Sequence, residues 1–133
     1  MSGDAWLRFA YAFNILVLAP VLVSLYAHRG AGTLAAFSNA VANVDGLRLL
    51  VASLWAAVLI LSIVGLVWPR PLAALIGFQV VYKGLYLVTF VGPELTRGGL
   101  AAIPAGVAAV FLFIVLAWPL ILLAAFAGQR GTA

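Results

Sequence analysis

One stretch of this chain sets polar groups inside an otherwise apolar run. In FQVVYKGLYLVTF (residues 78–90), Gln79, Lys83 and Tyr86 fall at i, i+4 and i+7, a spacing that puts side chains on one face of a helix. Tyr82 and Phe90 flank that face. An ammonium beside an amide and a phenol offers N–H and O–H donors and a positive charge. The chemistry it suits is capture of an anionic headgroup, a quinone-like carbonyl or a subunit's carboxylate. Asn14, in the first apolar run, completes the set of candidate ligand-binding residues, although a lone membrane Asn more often joins helices than holds a ligand. Ser53 and Ser62, in the second run, add hydroxyls to an expected interior polar cluster.

Other chemistries are excluded or disfavoured. No HExxH, GxSxG, Walker or GxGxxG pattern occurs, so no catalytic or metal site is assigned. A single histidine, His28, rules out bis-histidine haem ligation within one chain. The absence of cysteine rules out disulfides, thiol nucleophiles and Cys-ligated metals. Asp4, Asp45 and Glu94 all fall near the ends of apolar runs, whereas a cation-coupled carrier places acids at depth. The cofactor is left unidentified, and an enzyme is disfavoured.

The element that must position the lysine is a transmembrane helix. Hydrophobic residues make up 67% of the 133 and charged residues 8%, with mean hydropathy +1.25; soluble domains carry roughly a quarter charged residues. Crossing the hydrocarbon takes about 20 apolar residues, and four runs qualify, at about 6–27, 47–67, 72–91 and 103–127. All must be helices, because lipid leaves no water for unpaired backbone groups, and the ten-residue alternation of a barrel is missing. The chain is read as one all-α transmembrane domain, a four-helix bundle. The first run lacks a basic leader and a small-residue cleavage site, and is expected to be a retained helix.

The connections refine this. WPRP (residues 68–71) predicts an antiparallel hairpin of the second and third helices, with Pro71 in the first turn of the latter. GPELTRGG (residues 92–99) reads as a second short loop. In the longer connection, Leu34, Phe37, Val41 and Val44 recur at helical spacing. That pattern fits a short amphipathic helix on the membrane surface or a loop packed on the bundle's end. Asp45 is placed to cap the second helix. Trp6, Trp68, Trp118 and Tyr26 read as interfacial belt residues and Trp55 as packing. Pro20 and Pro119 read as helix kinks, and the small residues of AAIPAGVAA (101–109) as a site of close helix approach. The echo between VGLVWPRP and IVLAWPLI suggests two parallel hairpins.

The basic residues lie singly beside the apolar runs, which suits topology and lipid headgroups; nucleic acid is not an expected partner. Arg8, Arg70 and Arg130 on one side balance Arg29, Arg48 and Arg97 on the other, so the positive-inside rule does not choose. Cytoplasmic termini are expected, because the longer, neutral-leaning loop is then outside.

Lys83 lies about 12 residues into its run, and an ammonium near the bilayer centre costs about 2.5–3.5 kcal/mol on insertion scales. One reading is snorkelling or structural pairing with Gln79, Tyr82, Asn14 or free carbonyls. The nearer interface is expected towards Gly92 and Pro93, yet helical side chains lean the opposite way. The other reading is a functional lysine facing a cavity. No acid within the spans neutralises it, which favours an external partner.

The segment NVDGLRLLVASLWAAVLILSIVGLVWPRP (43–71), followed by FQVVYKGLYL, together with the longer first loop and the tight Pro-containing turn, resembles DoxX-like small bacterial membrane proteins. That resemblance implies a four-helix inner-membrane protein, in some cases a subunit linked to quinone and sulfur oxidation, and carries over no site residue. The first functional reading is a non-enzymatic accessory subunit or lipid- or quinone-binding module, in contact with membrane lipids and with a homo-oligomer or larger complex as its setting. The alternative is a small oligomeric transporter or channel in which Lys83 selects an anion.

Overall fold

The computed structural model describes residues 2–27 and 45–127. Leu34, Phe37 and the rest of the expected amphipathic segment, with His28, Arg29 and Arg130, lie outside the described residues. Among the described residues five α-helices occur in chain order: α1 (Gly3–Ala27), α2 (Asp45–Val67), α3 (Ala73–Tyr86), α4 (Gly92–Gly98) and α5 (Ala105–Phe126). A π-turn at Leu87–Val91 joins α3 to α4, so the third span is continuously helical over residues 73–98. Among the described residues, four helical stretches are long and apolar enough to cross a membrane. The protein is an all-α, membrane-spanning four-helix bundle.

The main departure from expectation is GPELTRGG, which is helical rather than a loop. Pro93 shows how. A proline has no N–H and clashes with the carbonyl four residues before it. The backbone widens ahead of it, and the Gly92 N–H donates to the Leu87 carbonyl five residues back. Pro93 thus lands in the first turn of α4, where no N–H is needed. The chain reverses later, at Gly99, whose φ of 70° favours glycine. Pro20 and Pro119 sit inside α1 and α5, which continue through them.

The helices do not pack in chain order. α1 lies along α2, α3 along α5, and α1 against α5, while α2 and α3 meet only slightly despite having the shortest connection. The expected α2–α3 hairpin is therefore a tight turn between diverging helices. The bundle runs α2–α1–α5–α3 and leaves a crevice between its two outer members.

Three elements are tied together at the end holding the turn. Arg70 pairs with Asp4 at 2.7 Å, donates to the Ala125 carbonyl at 3.3 Å and lies over the Phe126 ring at 5.3 Å. Arg8 donates to the Leu66 carbonyl at 2.9 Å, and the buried Tyr11 hydroxyl to the Pro69 carbonyl at 2.8 Å. Tyr11 fits because Gly65 lacks a side chain: a Cβ there would lie 2.7 Å from its ring. The start of α1 and the end of α5 consequently share one end of the bundle.

Trp118 departs from the expected aromatic belt. Trp6, Trp68 and Tyr26 are exposed, but Trp118 is fully buried against Phe13 and Phe113, with its indole N–H unpartnered among the described residues. Trp118-Pro119 thus sits inside α5, with Trp118 turned into the core, whereas Trp68-Pro69 sits at a turn. The two Trp-Pro segments are not structural equivalents, and the suggested hairpin repeat fails on that difference.

Candidate functional site

Lys83 is 4% exposed and Gln79 1%. Both lie on α3, a turn apart, and the ammonium donates to the Gln79 Oε1 at 3.3 Å and to the Tyr82 hydroxyl. It also lies 4.0 Å from the centroid of the Tyr82 ring and 5.1 Å from that of Phe111. The side chain does not snorkel. Helix continues beyond Gly92, so the expected nearer interface is not a helix end, and the ammonium turns inward to its own helix and to α5.

An ammonium has three donors, and two are engaged by Gln79 and Tyr82. The Gln79 Nε2 is buried with no partner. The unmet groups of the pair are donors, the third ammonium N–H and the Gln79 Nε2, and what satisfies them is an acceptor.

Among the described residues, neither Asp4 nor Glu94 supplies one. Asp4 is held by Arg70 and Glu94 by Arg97. The remaining acid, Asp45, is the first residue of α2. It is ten residues, about 15 Å, from the level of Trp55, which lines the same cavity as Lys83.

Asn14 comes from α1 to that cavity. It donates to the Ser62 hydroxyl of α2 at 3.1 Å, with both residues buried. It does not bond Lys83; it joins helices and lines the space the lysine faces. The cavity, of about 120 Å³, is bounded by Phe13, Asn14, Trp55, Gln79, Lys83 and Phe111 among others. Ser53, by contrast, is exposed and donates back to the Leu49 carbonyl of its own helix at 2.8 Å, so it is not part of an interior cluster.

Tyr86 departs from the expected one-face arrangement. It stacks on Phe90, with centroids 5.3 Å apart, and meets Phe111 edge-on at 5.5 Å. Its hydroxyl is buried without a partner among the described residues. Tyr82 likewise packs on Phe78 at 5.1 Å and meets Phe111 edge-on. These rings wall a second space, of about 460 Å³, lined by Val51, Leu54, Trp55 and Val58 of α2, by Phe78, Tyr82, Tyr86 and Phe90, and by Phe111. It is the crevice left where α2 and α3 diverge.

Sequence reasoning named Tyr82, Tyr86 and Phe90 beside the polar members but did not join them with Phe78 into an aromatic wall. Its signal was present: Phe78, Tyr82, Tyr86 and Phe90 recur every four residues, a stripe on one helical face. Trp55 and Phe111, which border both spaces, carried no such periodic signal. No protein-family model, curated protein or solved structure gives a significant match to the chain.

Proposed function

We propose that the protein is a non-enzymatic membrane module that binds an apolar molecule, a lipid or a quinone, through an acceptor group held by Lys83 and Gln79. The carrying observation is a buried ammonium with no carboxylate partner among the described residues, next to a buried amide N–H that has no partner among them either. Both line an otherwise almost wholly apolar space. Buried charges persist where they are paired or serve a pathway or ligand. As part of the same proposal the chain is an inner-membrane accessory subunit of the DoxX-like kind, with both termini cytoplasmic, working as a homo-oligomer or in a larger complex. The alternative, an oligomeric anion channel, draws on the same lysine. The apolar lining favours a bound amphiphile over a hydrated ion.

Mass spectrometry of what co-purifies in mild detergent tests the reading. Wild-type protein is expected to retain a lipid or quinone that Lys83→Met loses, while the variant keeps its helical circular dichroism and elution volume. Equal retention by both overturns the proposal. Anion flux in protein-loaded liposomes, abolished in Lys83→Met, would install the channel in its place.

A further inference from the structure

The two spaces in the bundle share a partition. Trp55 of α2 and Phe111 of α5 line both, with ring centroids 6.5 Å apart and planes at 78°. One side is the small donor-lined cavity with Lys83 and Gln79; the other is the larger aromatic crevice between α2 and α3. The crevice carries Leu54 at 53% and Phe78 at 50% exposure, so in a bilayer it opens sideways to lipid and not to water.

Resting on the binding-module reading, we infer that the ligand is a long-chain carboxylate: its chain lies in the α2–α3 crevice, and its head passes Trp55 and Phe111 to meet Lys83 and Gln79. Three observations choose this chemistry. The first is charge: the ammonium lacks a counter-charge, and a carboxylate supplies one with two acceptor oxygens. One oxygen suits the free donor position of the Lys83 ammonium and the other the orphan Gln79 Nε2.

The second is size. A cavity of about 120 Å³ is smaller than the roughly 150 Å³ cavity that accepts a single benzene. It admits a carboxylate with its first methylenes and leaves no space for a glycerophosphate head. The third is the shape of the neighbouring space, about 460 Å³ with almost no polar lining, which suits a hydrocarbon chain. A second copy of the protein is a poorer occupant. Asp4 and Glu94 are committed to Arg70 and Arg97, so a second copy brings no free carboxylate from those positions.

The test uses full-length protein in nanodiscs and oleate labelled with ¹³C at the carboxyl carbon. Wild-type protein is expected to give a bound carboxylate resonance distinct from that of bilayer oleate. Lys83→Met should weaken this binding at least tenfold. Leu54→Trp, a change at an exposed crevice position that leaves the polar pair intact, should weaken oleate binding several-fold and leave hexanoate binding unaltered. Oleate binding equally to Lys83→Met, insensitivity to Leu54→Trp, or methyl oleate binding as tightly as oleate each overturns the inference. A dimer that Leu54→Trp dissociates would assign the crevice to a second copy, with the same consequence. If a decyl-benzoquinone or a co-purified phospholipid binds through Lys83 and oleate does not, the carboxylate inference falls and the broader binding function stands.

Discussion

Arg70, in the turn before α3, and Lys83, within α3, resolve their charges in opposite ways. Arg70, at the turn, is met by a carboxylate, a backbone carbonyl and an aromatic face drawn from α1 and α5, and its side chain remains 38% exposed. Lys83, three turns into α3, is 4% exposed and is met by an amide, a phenol and two rings, none of them charged. The arginine is an end-clamp completed by its own chain. On the proposed reading the lysine is half of an interaction, and what singles it out from other buried groups is that no counter-charge meets it among the described residues.

The comparison has its largest expected consequence at the lysine. In ligand-free protein, Lys83→Met should stabilise the bundle by about 2 kcal/mol. A central lysine costs about 2.5–3.5 kcal/mol on insertion scales, and losing the bond to Gln79 returns part of that. Titration with denaturing detergent, followed by circular dichroism, reads the change. A loss of stability of similar size would make Lys83 a structural keystone and erase its difference from Arg70.

At the arginine the sign reverses and the size falls. Arg70→Met is expected to destabilise the same transition by about 1 kcal/mol. The Asp4 pair is more than a third exposed, so screening reduces it to a fraction of a kcal/mol, and the Phe126 contact adds about as much again. The deficit relative to wild type should shrink in high salt, and ligand retention should be unchanged. Loss of ligand in Arg70→Met with the fold intact would mean the clamp and the site are coupled.

How much of this was legible in the sequence follows from what each signal encodes. The span at 47–67 ends where α2 ends, because the apolar run itself stops at the turn. GPELTRGG misled because Gly and Pro report backbone preference, and a π-turn upstream of Pro93 absorbed the conflict. Lys83 with Gln79 was legible as an i, i+4 pair on one helix. Which residues faced them across the bundle was not. Trp55 and Phe111 reach the site through the packing of α2 on α1 and of α5 on α3, contacts between residues far apart in the sequence. The Trp-Pro echo failed for the same reason, since a dipeptide does not state whether it lies at a turn or inside a helix.

The smallest effect concerns the polar contact that resembles neither cation. Asn14 donates to Ser62 between α1 and α2, buried at both ends and neutral throughout. A double-mutant cycle with Asn14→Val and Ser62→Ala is expected to return a coupling of about 0.6 kcal/mol, the usual worth of an interhelical hydrogen bond in a membrane. Ser62→Ala alone should leave ligand retention untouched, because the hydroxyl serves the α1–α2 contact while Lys83 and Gln79 serve the cavity. A coupling near 2 kcal/mol, or a Ser62→Ala variant that loses ligand, would show Asn14 being positioned for the cavity rather than for α2. Asn14 would then join Lys83 as a group whose partner lies outside the chain, instead of standing with Arg70 as one already satisfied within it.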